Sequence, residues 1–152
     1  MKNKLQRLNE KEEVRSWRTI MAAYRSTYHL LGKSLLNDGC TIQRFQIFYN
    51  LYFEGAHRPS LIAKKLDVSL PNITSFVKRM MRDKQIIEDW SDGGKRPKYK
   101  LSESGEEFFE EIFPKHVKHI TQLIDPIPPK LIVQLTKIKD NNEDKMNQKE
   151  LL

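Results

Sequence analysis

A mainly α-helical fold with one small β-hairpin, a winged helix-turn-helix set between N- and C-terminal helices, is what this chain predicts on three observations. Apolar residues within 61–66 and 73–80 recur at helical spacing on either side of a short break at 67–69. The period then changes, because Ile86-Ile87 and Tyr99-Lys100-Leu101 are β-rich runs around the turn cluster Ser91-Asp92-Gly93-Gly94. Before and after this centre, apolar stripes within 17–35 and 108–138 mark further helices.

The first of the paired helices opens at Arg58-Pro59, since Pro fits the first helical position, where its missing N–H is not needed. Leu61, Ile62 and Leu66 form its apolar face, and Ala63 is small enough to let a second helix cross closely. Asp67-Val68-Ser69 breaks the pattern, and Ser69 can cap the next helix by accepting a bond from an orphan backbone N–H. That helix is expected over about 70–83, with Ile73, Phe76, Val77 and Met80 inward. Asn72, Thr74, Ser75, Lys78, Arg79 and Arg82 are left facing outward.

The outward set joins short hydrogen-bonding groups near the helix N-terminus to cations beyond them. A helix entering the DNA major groove brings its N-terminal residues nearest the base edges, so small polar side chains there can read bases while Lys and Arg reach phosphates. The candidate contacts are therefore Ser69, Pro71, Asn72, Thr74, Ser75, Lys78, Arg79 and Arg82 on the helix, with Lys95, Arg96 and Lys98 on a wing over 92–98 at the minor groove. Asn72, Thr74 and Ser75 are the base readers among them. A solvated amphipathic helix would explain the helix alone, but not the cationic hairpin beside it. From Lys78 to Lys100 eight basic residues stand against four acidic ones, whereas Ser102 to Ile112 holds five Glu and no cation. Positive charge is thus grouped rather than spread.

Over roughly Trp17 to Ile138, the order of elements resembles the MarR family of dimeric winged-helix transcription regulators. The resemblance rests on the LAxxLxVS-like residues Leu61 to Ser69, the helix ending in Lys78-Arg79-Met80, the basic wing, and Leu101-Ser102-Glu103-Ser104-Gly105, similar to the family's Leu-Thr-x-x-Gly. Two departures stand out. The family's wing carries Asp-x-Arg, whereas Asp92 here lies four residues before Arg96, and Gln85 stands where the family commonly turns on Gly. The resemblance implies a homodimer that places one recognition helix per subunit on a pseudo-palindromic operator in double-stranded DNA, acting as a repressor. It also implies an effector pocket between the first long helix and the one after it.

The 152 residues are one domain's length, and the net charge of +7 with pI near 9.5 favours a polyanionic partner. One cysteine, Cys40, excludes an internal disulfide and suits a reducing, cytoplasmic setting. The opening MKNKLQRLNEKEE lacks the apolar core of a secretory signal, and no run approaches the ~18 apolar residues of a membrane span. The expected organisation is an N-terminal dimerisation helix within 1–40, the DNA-binding domain at 41–105, C-terminal dimerisation helices at 106–140 and a flexible tail at 141–152.

Trp17, Ile20, Met21, Tyr24, Tyr28, Leu31 and Leu35 lie at helical spacing between about Glu12 and Leu36, a stripe suited to core or interface. Asn37-Asp38-Gly39 ends that helix, and Thr41 can cap a second in which Phe45, Phe48, Leu51 and Tyr52 face inward. Tyr24, Tyr28, Phe45, Phe48 and Tyr52 are the candidate lining of a pocket for a small-molecule effector, set against the reading that the same residues make an adequate dry core. Pro114 should kink or break the long helix after the wing, and a last helix is expected over about Pro129 to Lys139.

Catalysis finds no support: there is no Gly-rich phosphate loop, no Cys-x-x-Cys and no HExxH, and no cofactor is expected. His116 and His119 share a helix face and could bind a metal with His29 or Cys40, though Lys115 and Lys118 make the face look solvated. Cys40 as an oxidant sensor is a further option, set against its reading as a small buried residue. The rivals to a DNA-binding regulator are a winged-helix module that binds an acidic protein, and a ligand-, metal- or redox-sensing protein of the same fold.

Overall fold

A computed structural model describes residues 2–149. The chain divides after His119 into two compact units.

In the first unit, α1 (Lys2–Asn9) precedes the long α2 (Glu12–Asn37), a start that the apolar pattern did not mark. Only the C-terminal part of α2 reaches the core, through the fully buried Leu35. Asn37, Asp38 and Gly39 then turn the chain into α3 (Ile42–Glu54), whose first turn is capped by Thr41 Oγ1 accepting from the Arg44 N–H at 3.3 Å. Phe45, Ile47, Phe48 and Leu51 are buried from this helix, but Tyr52 is not. It is 38% exposed and its hydroxyl donates to Glu110 at 2.7 Å, so Tyr52 belongs to the surface rather than to the inward face expected of it.

The paired helices are α4 (Pro59–Leu66) and α5 (Leu70–Arg82). Asp67 takes a left-handed conformation that stops α4, its N–H bonding back to the Lys64 carbonyl at 3.4 Å. Ile62 and Ala63 pack with Ile73, Val77 and Met80, all buried, each full-sized side chain contributing about 1.5–3 kcal/mol by leaving water. Ser69 occupies the cap position of α5 with extended backbone and its carbonyl accepts the first helix bond from the Ile73 N–H, but its hydroxyl makes no cap bond.

Strands β1 (Ile86–Asp89) and β2 (Lys98–Leu101) pair antiparallel, Ile86 opposite Leu101 and Asp89 opposite Lys98. Helix α6 (Glu103–Leu123) follows, locked to the end of α5. Ser102 and Ser104 hydroxyls both donate to the Lys84 carbonyl, at 2.6 and 2.8 Å, and Ser102 Oγ accepts from the Gly105 N–H at 3.1 Å. Pro114 does not break this helix. Phe109 and Ile112 before it and His116 after it are all buried, and that packing holds the helix through the one missing hydrogen bond.

In the second unit, residues 124–128 run without regular structure into α7 (Pro129–Lys149). It extends well past the Lys139 end that apolar spacing predicted, through Asp140 to Lys149, where a frayed tail was expected. The extension is polar and exposed as far as Met146, a solvated helix with no apolar stripe to announce it; residues 150–152 of that expected tail lie outside the described residues. Leu131, Ile132, Val133 and Ile138 on its first half are exposed.

Candidate nucleic-acid interface

Helix α5 has the strongest division of faces in the chain because every third or fourth residue is drawn into the core. Ile73, Val77 and Met80 are buried, and Pro71, Asn72, Ser75, Lys78, Arg79 and Arg82 are exposed on the other side. Thr74 is half-buried and its hydroxyl donates to the Leu70 carbonyl at 2.8 Å, leaving the oxygen free only to accept. Arg79 lies back along the helix, its guanidinium carbon 4.5 Å from the centre of the Phe76 ring and its Nε donating to the Ser75 carbonyl at 3.3 Å. Arg82 sits 3.5 Å from Asp83, whereas Lys78 has no ion pair among the described residues.

The wing stands beside this helix on a backbone scaffold of its own. His57 and Tyr99 exchange both backbone bonds, at 3.0 and 2.8 Å, so the segment before α4 adds a third pairing to the hairpin. The connecting loop, 90–97, is closed by Asp92. Its Oδ1 accepts from the Gly94 N–H at 3.1 Å, and its Oδ2 lies 3.3 Å from both Arg58 Nη2 and Lys98 Nζ. The Gly94 N–H, then Lys98 and Arg58, hold the Asp92 carboxyl below the usual carboxylate range. Lys95 and Arg96 remain exposed, with no ion pair among the described residues. Asp92, which has no arginine two residues on, thus pairs with Arg58, a residue that nothing in the local sequence places at the wing. That missing arginine was the only signal for it.

A second overlooked residue is Arg44, which joins the first turn of α3 to the end of α5. Its guanidinium donates to Gln85 Oε1 and lies 3.5 Å from Asp83 Oδ2.

The expected effector lining is split. Tyr24 and Tyr28, with rings 5.5 Å apart, line an open groove of about 850 Å³ together with Arg25, His29, Lys33 and the start of α3. Phe45 and Phe48 are instead core, packed on Phe109 at 5.6 and 6.2 Å. Tyr52 joins Phe53 and Phe109 elsewhere.

No three His, Cys, Asp or Glu side chains among the described residues are grouped so as to hold a metal ion. His29 lines the groove, His116 is buried against the Phe45 ring at 4.2 Å, and His119 lies 3.6 Å from Asp38. Cys40 is buried and donates to the Thr41 carbonyl, and burial pushes its thiol up to about 11, so it holds almost no thiolate at neutral pH.

Compared by sequence, the chain matches no protein-family model and no curated protein. Compared by structure, it is similar to AbsC, a MarR family transcriptional regulator from Streptomyces coelicolor, with a TM-score of 0.79 at 22% identity over 91% of this chain and 97% of that one. Sco3205, a MarR family regulator of the same organism solved in complex with DNA, superposes with a TM-score of 0.74 at 19% identity, covering 88% and 87%. The organohalide-sensing transcriptional regulator RdhR, solved both ligand-free and with 2,4-dichlorophenol bound, gives 0.69 at 20% identity, covering 89% and 81%. At these identities the likeness is one of fold, and the fold of this chain is the winged-helix fold of the MarR family of transcriptional regulators.

Proposed function

We propose that this chain is a sequence-specific transcriptional regulator, a repressor, that binds double-stranded DNA as a homodimer. The observation that carries the reading is the exposed row Asn72, Ser75, Lys78 and Arg79 standing beside a wing whose Lys95 and Arg96 are exposed and have no ion pair among the described residues. Helix α5 would lie in the major groove and the wing at the adjacent minor groove, with two-fold symmetry in the operator. An acidic protein partner would need the cations but not the short polar groups near the start of α5, and so fits the row less well. Dimerisation is supported by the stripe Trp17, Ile20, Met21 and Tyr24 on α2, exposed along its whole length. No catalytic step belongs to this reading.

A small-molecule effector is the second part of the proposal. The groove between α2 and the start of α3 offers two tyrosine rings and the cations Arg25 and Lys33, with no carboxylate in its lining. RdhR, of the same fold, is solved with a chlorinated phenol bound.

The test is recovery of bound fragments from sheared DNA of the source genome at near-physiological salt, with the Lys78→Ala protein in parallel and sedimentation to establish subunit number. A few fragments sharing an inverted repeat, weakened in the variant, are expected from a dimer. Uniform, salt-sensitive recovery without a shared site, or a monomer, would overturn the proposal.

A further inference from the structure

The wing loop contains one acidic residue among its cations, and Asp92 faces the wrong way electrostatically for a finger meant to meet phosphate. Its contacts explain its presence. Oδ1 accepts from the Gly94 N–H and closes the turn, Lys98 pairs with Oδ2 from within the hairpin, and Arg58 pairs with the same oxygen from outside it. Arg58 is well anchored to make that contact. It is the cap residue of α4, its carbonyl accepting from the Leu61 and Ile62 N–H groups at 3.0 and 3.2 Å, and its neighbour His57 is bonded to Tyr99 at both backbone positions. The guanidinium also lies against the loop backbone, since a Cβ at Gly94 would stand 2.9 Å from Arg58 Nη2.

We propose that Arg58 is the positioning residue of the wing, holding the loop through Asp92 to the start of α4, and thereby to α5, so that helix and wing meet a duplex as one body. The consequence for DNA rests on the function proposed above; the clamp itself does not. An exposed ion pair adds little to global stability, so the effect lies in the order of a largely exposed loop. With Asp92 held by Arg58 and Lys98, Arg96 has no ion pair among the described residues.

Arg58→Ala, Asp92→Asn and the double variant test this with two readouts. Asparagine can still accept from the Gly94 N–H, so the second substitution removes charge while keeping the turn. In the protein without DNA, amide hydrogen exchange across 90–97 should speed up about fivefold in both single variants while α5 stays unchanged. On the fragment selected by the unmodified protein, both should bind about fivefold more weakly, and the double variant no worse than the weaker single, as for two ends of one contact. The sign at Asp92 is decisive, since losing a negative charge near phosphate would by electrostatics alone tighten binding. Tighter binding by Asp92→Asn, additive losses, or unchanged exchange would each overturn the proposal. If the unmodified protein selects no DNA, the regulator reading falls, while the exchange rates still decide whether Arg58 holds the wing.

Discussion

Gly105 approaches Gln85 so closely that a Cβ added to it would stand 1.9 Å from the Gln85 carbonyl oxygen. The same Gln85 carbonyl accepts from the Ser102 N–H at 3.1 Å, so it is not free to move aside. Helix α6 can start beneath the hairpin only with glycine at this position. Gly105→Ala should therefore destabilise the chain by about 2–3 kcal/mol, although alanine is the better helix former by about 1 kcal/mol. Thermal unfolding checks this, and an unchanged or raised midpoint would show that the junction can relax.

His116 makes stability depend on pH. Burial lowers its pKa below the ordinary 6.5, the neighbouring His119 adds to that, and Asp38 opposes it. The unfolded chain takes up a proton near 6.5 that the folded chain resists. Stability is thus complete above about pH 6.5 and declines as pH falls below it, levelling off once the depressed folded value is passed. His116→Phe keeps a ring against Phe45 and removes an unpartnered buried Nδ1, so it should flatten this decline and leave stability at pH 7.5 within about 1 kcal/mol. Urea titrations of both proteins at pH 7.5 and 5.5 provide the comparison; equal declines would move the titrating group elsewhere.

Cys40 should be inert in the folded protein. With its thiol buried and pushed up to about 11, reaction with a thiol-specific reagent at pH 7.5 should wait on unfolding and become fast in urea. Peroxide should correspondingly leave DNA binding unchanged. Rapid modification in buffer would restore the oxidant-sensing reading.

On the proposed operator, Asn72 and Lys78 should behave differently. Asn72→Ala is expected to cost about 1–3 kcal/mol on the selected site and to relax preference at one or two base pairs. Lys78→Ala should weaken all sequences alike and reduce the log–log salt slope by about one. Binding measured on matched and mismatched fragments across a salt series separates these, and identical behaviour of the two variants would count against α5 as the reading helix.

The order of elements from α2 onward, the limits of α4 and α5, the hairpin and the grouped charge could all be read from the chain because each depends on neighbours within a few residues: apolar spacing, Pro59 at a helix start, a turn cluster between two β-rich runs. The capping role of Thr41 was legible for the same reason, while Ser69, in an equivalent position, makes no such bond. Periodicity was least informative where it was weakest, as in α7 beyond Lys139.

What tertiary structure decided were relationships across long separations, which no local pattern encodes. Helical phase alone cannot say which of five aromatic rings share a pocket; packing turned Phe45 and Phe48 onto Phe109 and left Tyr24 and Tyr28 at a groove. Spacing put His116 and His119 on one face, but their burial differs, and Cys40 was closed off by the core around it. Arg58 and Asp92 lie 34 positions apart, and only the folding of the hairpin back onto the start of α4 makes them partners. The sequence by itself determined the elements from α2 to the start of α7 and where their charge lies, through interactions over a turn or two of chain. The fold alone determined which side chains those elements bring into contact, because that depends on how distant surfaces fill space against one another.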